Sequence, residues 1–240
     1  MVATGPKSAD AIAKGIVFST SHEDAAITFV DDRIAPKAYA YLLINGGKAT
    51  FATCLFEEFR SERKYFESAL DRMRKSVEID IREPREFGGF VNFFFKPVTK
   101  GKRFWYVGES AGFQDGLWGF GMRYAMMSGY LAARSIISGE SYERLVKEKI
   151  EKILEVSVAD RLIFSLLGNR GYEKALSIVD KLEDPIAWLR KCYNPSPLKA
   201  VMFQIAKHWY HSRLIDKQCM HVNCDCVWCR HGKEAHGTQV

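Results

Sequence analysis

The sequence predicts an α+β fold: an antiparallel sheet with one helix, then a strand-loop-helix unit, then a helical C-terminal region. Three observations predict it. Four short segments rich in β-branched and aromatic residues follow one another between turn formers. From Ser61 the apolar spacing lengthens from two residues to three and four. Beyond Gly139, patterns of helical period run with brief interruptions to Arg213.

The strands are expected at Gly15–Ser21, Ala25–Val30, Lys37–Ile44 and Ala49–Phe56. Asn45-Gly46-Gly47 joins the last two, and a tight hairpin turn needs residues that tolerate positive φ. Tyr65, Phe66, Ala69, Leu70 and Met73 then mark an amphipathic helix in a charged background. A β-type stretch follows from Gly89 to Lys96, and another, Arg103-Phe-Trp-Tyr-Val, ends at Gly108. Met1–Thr4 reads as a β-type stub running into Gly5-Pro6. Helices are expected at Phe120–Ser138, Tyr142–Val156, Ala159–Leu167, Tyr172–Leu182, Pro185–Cys192 and Leu198–Arg213. Their breaks fall at Gly168, Gly171, Pro185 and Pro195-Ser-Pro197.

With 240 residues, 47% apolar and 13% aromatic, the chain can bury a core as one or two domains, which excludes a disordered tail. No apolar run reaches the roughly 18 residues of a spanning helix, and Met1-Val-Ala-Thr-Gly-Pro-Lys carries no basic-then-apolar signal. A cytoplasmic location is the expectation. The net charge of +6 is spread among acids, so no stripe for nucleic acid stands out, whereas peripheral contact with anionic lipid stays open.

Chemistry concentrates in Val107-Gly108-Glu109-Ser110-Ala111-Gly112-Phe113-Gln114-Asp115-Gly116-Leu117-Trp118-Gly119-Phe120-Gly121-Met122. A strand ends at Gly108, an acid follows, and a glycine-bearing loop opens a helix near Gly121. Glycine lets backbone approach a ligand closely, and the first-turn amides with the helix dipole favour an electron-rich group. Gly121, Ala125, Gly129 and Ala133 strip one helix face of bulk. Plain helix packing produces the same stripe.

This segment resembles the motif of FAD-dependent oxidoreductases of the geranylgeranyl reductase and aromatic hydroxylase superfamily, in which a strand ends in Gly-Asp, an Ala-Gly loop follows, and Gly-x-Gly opens a long helix. The resemblance implies FAD as cofactor. It places Glu109 at the ribityl chain, with Glu for the usual Asp. It places Gly108, Ala111 and Gly112 in the loop, and Gly119, Phe120, Gly121 and Met122 at the helix start, near the pyrophosphate and the pyrimidine side of the isoalloxazine. Two weaker likenesses accompany it: Ala3-Thr4-Gly5-Pro6-Lys7-Ser8 to a turn near the flavin, and Tyr39-Ala-Tyr41 with Gly46-Gly47 to a geranylgeranyl reductase stretch in which Tyr41 replaces Trp and Ile44 replaces Pro.

On that family's layout the domains are expected as 1–14, a remnant of the FAD-binding domain; 15–100, the substrate-domain sheet with one helix; 101–140, the flavin-binding strand-loop-helix; 141–215, the helical region; and 216–240, a Cys-rich tail. The N-terminal Rossmann-like unit is missing. The one Gly-x-Gly, Gly119-Phe120-Gly121, has Tyr124 where a third glycine would stand. An N-terminal FAD-binding half is therefore an expected partner if the protein is split. The resemblance further implies NAD(P)H or ferredoxin as electron donor and an isoprenoid or lipid substrate whose double bond is reduced. An aromatic hydroxylase or prenyl cyclase is the alternative within the superfamily. Catalytic residues are not identified: Tyr39, Tyr41 and Cys54 are candidates by position only, and core packing explains them as well.

Four of the six cysteines, Cys219, Cys224, Cys226 and Cys229, cluster near the C-terminus with His221 and His231. Cys226-x-x-Cys229 is the turn-forming half of a zinc knuckle, and an iron-sulfur cluster would use the same thiols. An exposed, redox-labile tail is the alternative, and a metal-bearing interaction fragment without FAD is the reading from another functional class.

Overall fold

The structure, a computed structural model, describes residues 1–6, 9–92, 99 and 104–211, with the side chains of 209–211 excepted. The described chain is α+β and divides into two compact units. One comprises residues 9–90 with 168–172. The other comprises 1–6, the described parts of 91–167, and 173–211.

The sheet unit is built from β1 (Ala11–Ser19), β2 (Ala25–Phe29), β3 (Tyr39–Asn45), β4 (Lys48–Leu55) and β5 (Arg82–Val91), in the order β2-β3-β4-β1-β5. The pairs β2–β3, β3–β4 and β4–β1 are antiparallel. Gly46 (φ 56°) and Gly47 (φ 75°) form the two-residue turn between β3 and β4, both in the left-handed region the hairpin requires. The strand β1 starts at Ala11, four residues before the expected Gly15, because Ile12, Ala13 and Lys14 continue the ladder opposite Leu55, Cys54 and Thr53. Helix α1 (Glu62–Ser76) covers one sheet face with Tyr65, Phe66, Ala69 and Met73, the positions its spacing foretold. Phe66 lies 6.0 Å from the Phe51 ring, and Lys14, buried in β1, reaches Glu86 at 3.1 Å.

Residues 168–172 lock onto the turn after β2. The Asp32 amide donates to Asn169 Oδ1 (2.8 Å), Asn169 Nδ2 donates to Asp31 (3.1 Å), and the Tyr172 hydroxyl donates to Asp32 (3.3 Å). Arg33, hydrogen-bonded to Asp31, holds that carboxyl down at about 2.

In the second unit, Val2 forms a single parallel bridge with Tyr106. Helices α2 (Met122–Ser138) and α3 (Tyr142–Val146), a π turn (Lys147–Glu151), α4 (Lys152–Val179), α5 (Pro185–Cys192) and α6 (Pro197–His211) follow. The expected helix over 142–156 is thus interrupted by a π turn. Gly168 breaks α4 with φ 59° and ψ −177°, a conformation open to glycine, while Gly171 stays helical. Val107, Phe113, Tyr124, Leu131, Tyr142, Val146, Ile150 and Leu154 form the core. Among the described residues no helix is long and apolar enough to cross a membrane.

Candidate functional site

In place of the expected strand, the described residues 104–107 form only an isolated bridge, and the chain turns at Gly108 (φ 59°), where a Cβ would stand 3.2 Å from that of Ala125. The small residue at 125 therefore lets α2 back directly onto this turn, and the Gly108 amide donates to Ser128 Oγ on the same helix (2.8 Å). A 3₁₀ turn, Gly108–Ala111, closes on Gly112 (φ 79°). Glu109 is half-buried, and its carboxylate accepts the Asn92 amide at 3.0 Å.

Beyond Phe113 the loop is organised around Asp115, which is 2% exposed. Its carboxylate accepts the amides of Leu117 (3.0 Å) and Trp118 (2.7 Å). Its own backbone N–H donates to Phe120 O (3.1 Å), and its carbonyl accepts from the Gly119 amide (2.9 Å). Burial pushes the acid up to about 6, against the pull of those two amides and of the Tyr193 hydroxyl, which donates to it. Tyr124, also buried and near this charge, is pushed up to about 12.

The C-terminal helices hold this loop from behind. Ser157 Oγ accepts the Gly116 amide at 2.9 Å and donates to Leu154 O. Arg161, four residues on and so on the same face of α4, donates to Leu117 O at 3.1 Å. Trp118 meets Phe164 edge-on at 5.2 Å. A Cβ on Gly116 would lie 2.8 Å from Val158, which explains that glycine by protein packing.

Past Gly119 (φ 76°) the surface opens. Phe120, just before α2, is 64% exposed, and Met122 (85%), Met126 (77%), Tyr130 and Ile137 make an apolar stripe on α2. No side chain caps the first turn of α2. Gln114 fills the space a Cβ on Gly121 would occupy, and it donates to Gly119 O.

The expected cofactor residues thus fall into two sets. Gly119, Phe120, Gly121 and Met122 stand at a solvent-accessible, uncapped helix start. Gly108, Ala111 and Gly112 are buried beneath it, with Glu109 turned to Asn92. The first set is open, the nearest described atom to a Cβ on Gly119 being Val91 Cγ2 at 3.9 Å. The second set supports the loop from within. Sequence reasoning missed Gln114, Asp115, Ser157, Arg161 and Tyr193, the polar groups that shape the loop. The available signals were Asp115-Gly116, a turn former with a side-chain acceptor, and a Ser and an Arg four apart in an otherwise apolar stretch.

In the sheet unit, Tyr39, Tyr41 and Cys54 share the face away from α1. Tyr39 stands opposite Cys54, and the row Gly15, Ala52, Tyr41 lies beside it. On this face Phe87 packs against Gly15, where a Cβ would lie 2.6 Å from its ring, and Gly15 and Ala52 are buried, while Leu43 and Val17 stand in solvent. Burial, then the neighbouring Cys54, pushes the Tyr41 phenol up, so it stays protonated. Cys219, Cys224, Cys226 and Cys229 lie outside the described residues. Among the described residues no group of three or more His, Cys, Asp or Glu is arranged for a metal ion.

Two solved structures share the fold. A geranylgeranyl bacteriochlorophyll reductase-like protein from Thermoplasma acidophilum matches 90% of this chain with a TM-score of 0.59 and 18% identity. A triple mutant of the flavin-dependent brominase Bmp2 matches 84% with a TM-score of 0.54 and 10% identity. The chain spans 55% of the length of each. No family model and no curated protein matches the sequence.

Proposed function

We propose that this chain carries the flavin-facing part of an FAD-dependent oxidoreductase, and that the reaction reduces carbon-carbon double bonds of an isoprenoid or lipid substrate. One observation carries the reading. A glycine loop, fixed from behind by Asp115, Ser157 and Arg161, delivers an uncapped and exposed helix start at Gly119–Met122. The Gly119 amide is taken by the Asp115 carbonyl, so it is the first-turn amides beyond it that would meet the electron-rich pyrimidine edge of an isoalloxazine, with the apolar Met122 and Phe120 side chains against its rings. A bound, reduced flavin would supply a hydride to one carbon of the double bond, with a proton from water delivered to the other. The protein's part is to hold the ring against a fixed loop.

The likeness of the fold to the reductase-like protein supports this choice. An N-terminal half bearing a Gly-x-Gly-x-x-Gly unit is the proposed partner for the ADP end, with NAD(P)H or ferredoxin as donor. The metal proposed for the cysteine cluster, zinc or iron-sulfur, would be structural.

The test is anaerobic incubation of the chain and photoreduced FAD with a prenyl substrate. The expected product is heavier by two hydrogens per reduced bond, and its absence with flavin bound would overturn the reductase assignment. The fold shared with a brominase favours a second reading, an oxygen-using flavoenzyme such as an aromatic hydroxylase. Substrate-dependent oxygen consumption would select it.

A further inference from the structure

We propose that α5 and α6 form a surface that rests on an anionic lipid bilayer. From Pro185 to His211 the chain has four Lys and Arg residues and no Asp or Glu. Lys199 is turned inward onto Asp160 (2.8 Å), which leaves Arg190, Lys191 and Lys207 exposed.

Large apolar side chains stand outward in the same segment. On α6, Phe203 and Ala206 are buried, while Leu198 (69% exposed), Val201 and Ile205, at spacings of three and four, form the opposite stripe. On α5 no residue is buried, and Ile186 (63%) and Leu189 share a face with Arg190. Short helices that bury no apolar stripe of their own need a partner for it.

Charge decides among occupants. A second copy of the chain would bring the same cationic segment against itself, whereas an anionic headgroup layer is complementary to the charge and accepts the apolar stripe just below it. The inference is independent of flavin binding.

The experiment is flotation of the chain with phosphatidylcholine vesicles, with and without phosphatidylglycerol, together with amide exchange measured on the vesicle-bound protein. Binding is expected with phosphatidylglycerol, falling with salt, with exchange slowed over α5 and α6. Neutralising Arg190, Lys191 or Lys207 to Gln should weaken it about fivefold each. Ile186→Ser with Leu189→Ser should weaken it further while circular dichroism stays native, since α5 buries nothing. Equal binding to neutral vesicles, protection elsewhere in the chain, or a concentration-dependent dimer abolished by the same apolar substitutions would each overturn the proposal.

Discussion

Ser157 Oγ accepts the amide of Gly116 at 2.9 Å, so a helix 41 residues downstream grips the middle of the glycine loop. The grip requires glycine, because a Cβ at 116 would lie 2.8 Å from Val158. At Gly121 the crowding atom is instead the end of the flexible Gln114 side chain. Gly116→Ala is therefore expected to cost about 1–3 kcal/mol of stability through overpacking. Gly121→Ala should cost about 1 kcal/mol, for the displaced Gln114 hydrogen bond. Urea unfolding of the two variants checks the order, and equal losses would contradict it.

Asp115 ties stability to pH. Its folded-state value of about 6 lies above the ordinary carboxyl value, so the neutral acid's contribution is fully present below about pH 4 and is lost as pH rises through 6. Asp115→Asn keeps an oxygen for the Leu117 and Trp118 amides and cannot ionise. Relative to the native chain, the variant is expected to gain roughly 3 kcal/mol between those limits. Unfolding midpoints across that range measure it. Parallel pH profiles for the two proteins would show that the buried carboxylate carries no such cost.

Gly168 sits at φ 59° and ψ −177°, and the nearest atom to a Cβ there is Asp32 Oδ2 at 3.8 Å. Strain rather than crowding governs this position. Gly168→Ala should cost about 1–3 kcal/mol, whereas Asn169→Ala, which removes the bonds to Asp31 and the Asp32 amide, should cost about 1–2 kcal/mol. Amide exchange at Asp32 separates the two effects: it should quicken in the Asn169 variant far more than in the Gly168 variant.

Much of this architecture was legible residue by residue. Asp184 caps Ala187 and Pro185 opens α5, so the start of that helix follows from local chemistry. Gly46 and Gly47 likewise announce the β3–β4 turn. The candidate site was legible as a location but not as a mechanism of support. Gly121 suggested close approach of a ligand, and in the structure it also makes room for Gln114. Asp115, Ser157 and Arg161 act across 41 to 44 residues or by burial, and no local periodicity records such bonds. The π turn at Lys147–Glu151 had no signal either, since its side chains keep a helical spacing.

The central claim, that the helix start at Gly119–Met122 accepts a flavin, is tested most directly by titrating the chain with FAD and following the isoalloxazine absorbance and fluorescence. A saturable spectral shift is expected, weakened at least tenfold by Met122→Asp, a substitution at an 85% exposed position that leaves the fold intact. An unshifted spectrum at saturating chain, or a shift indifferent to Met122→Asp, would contradict it.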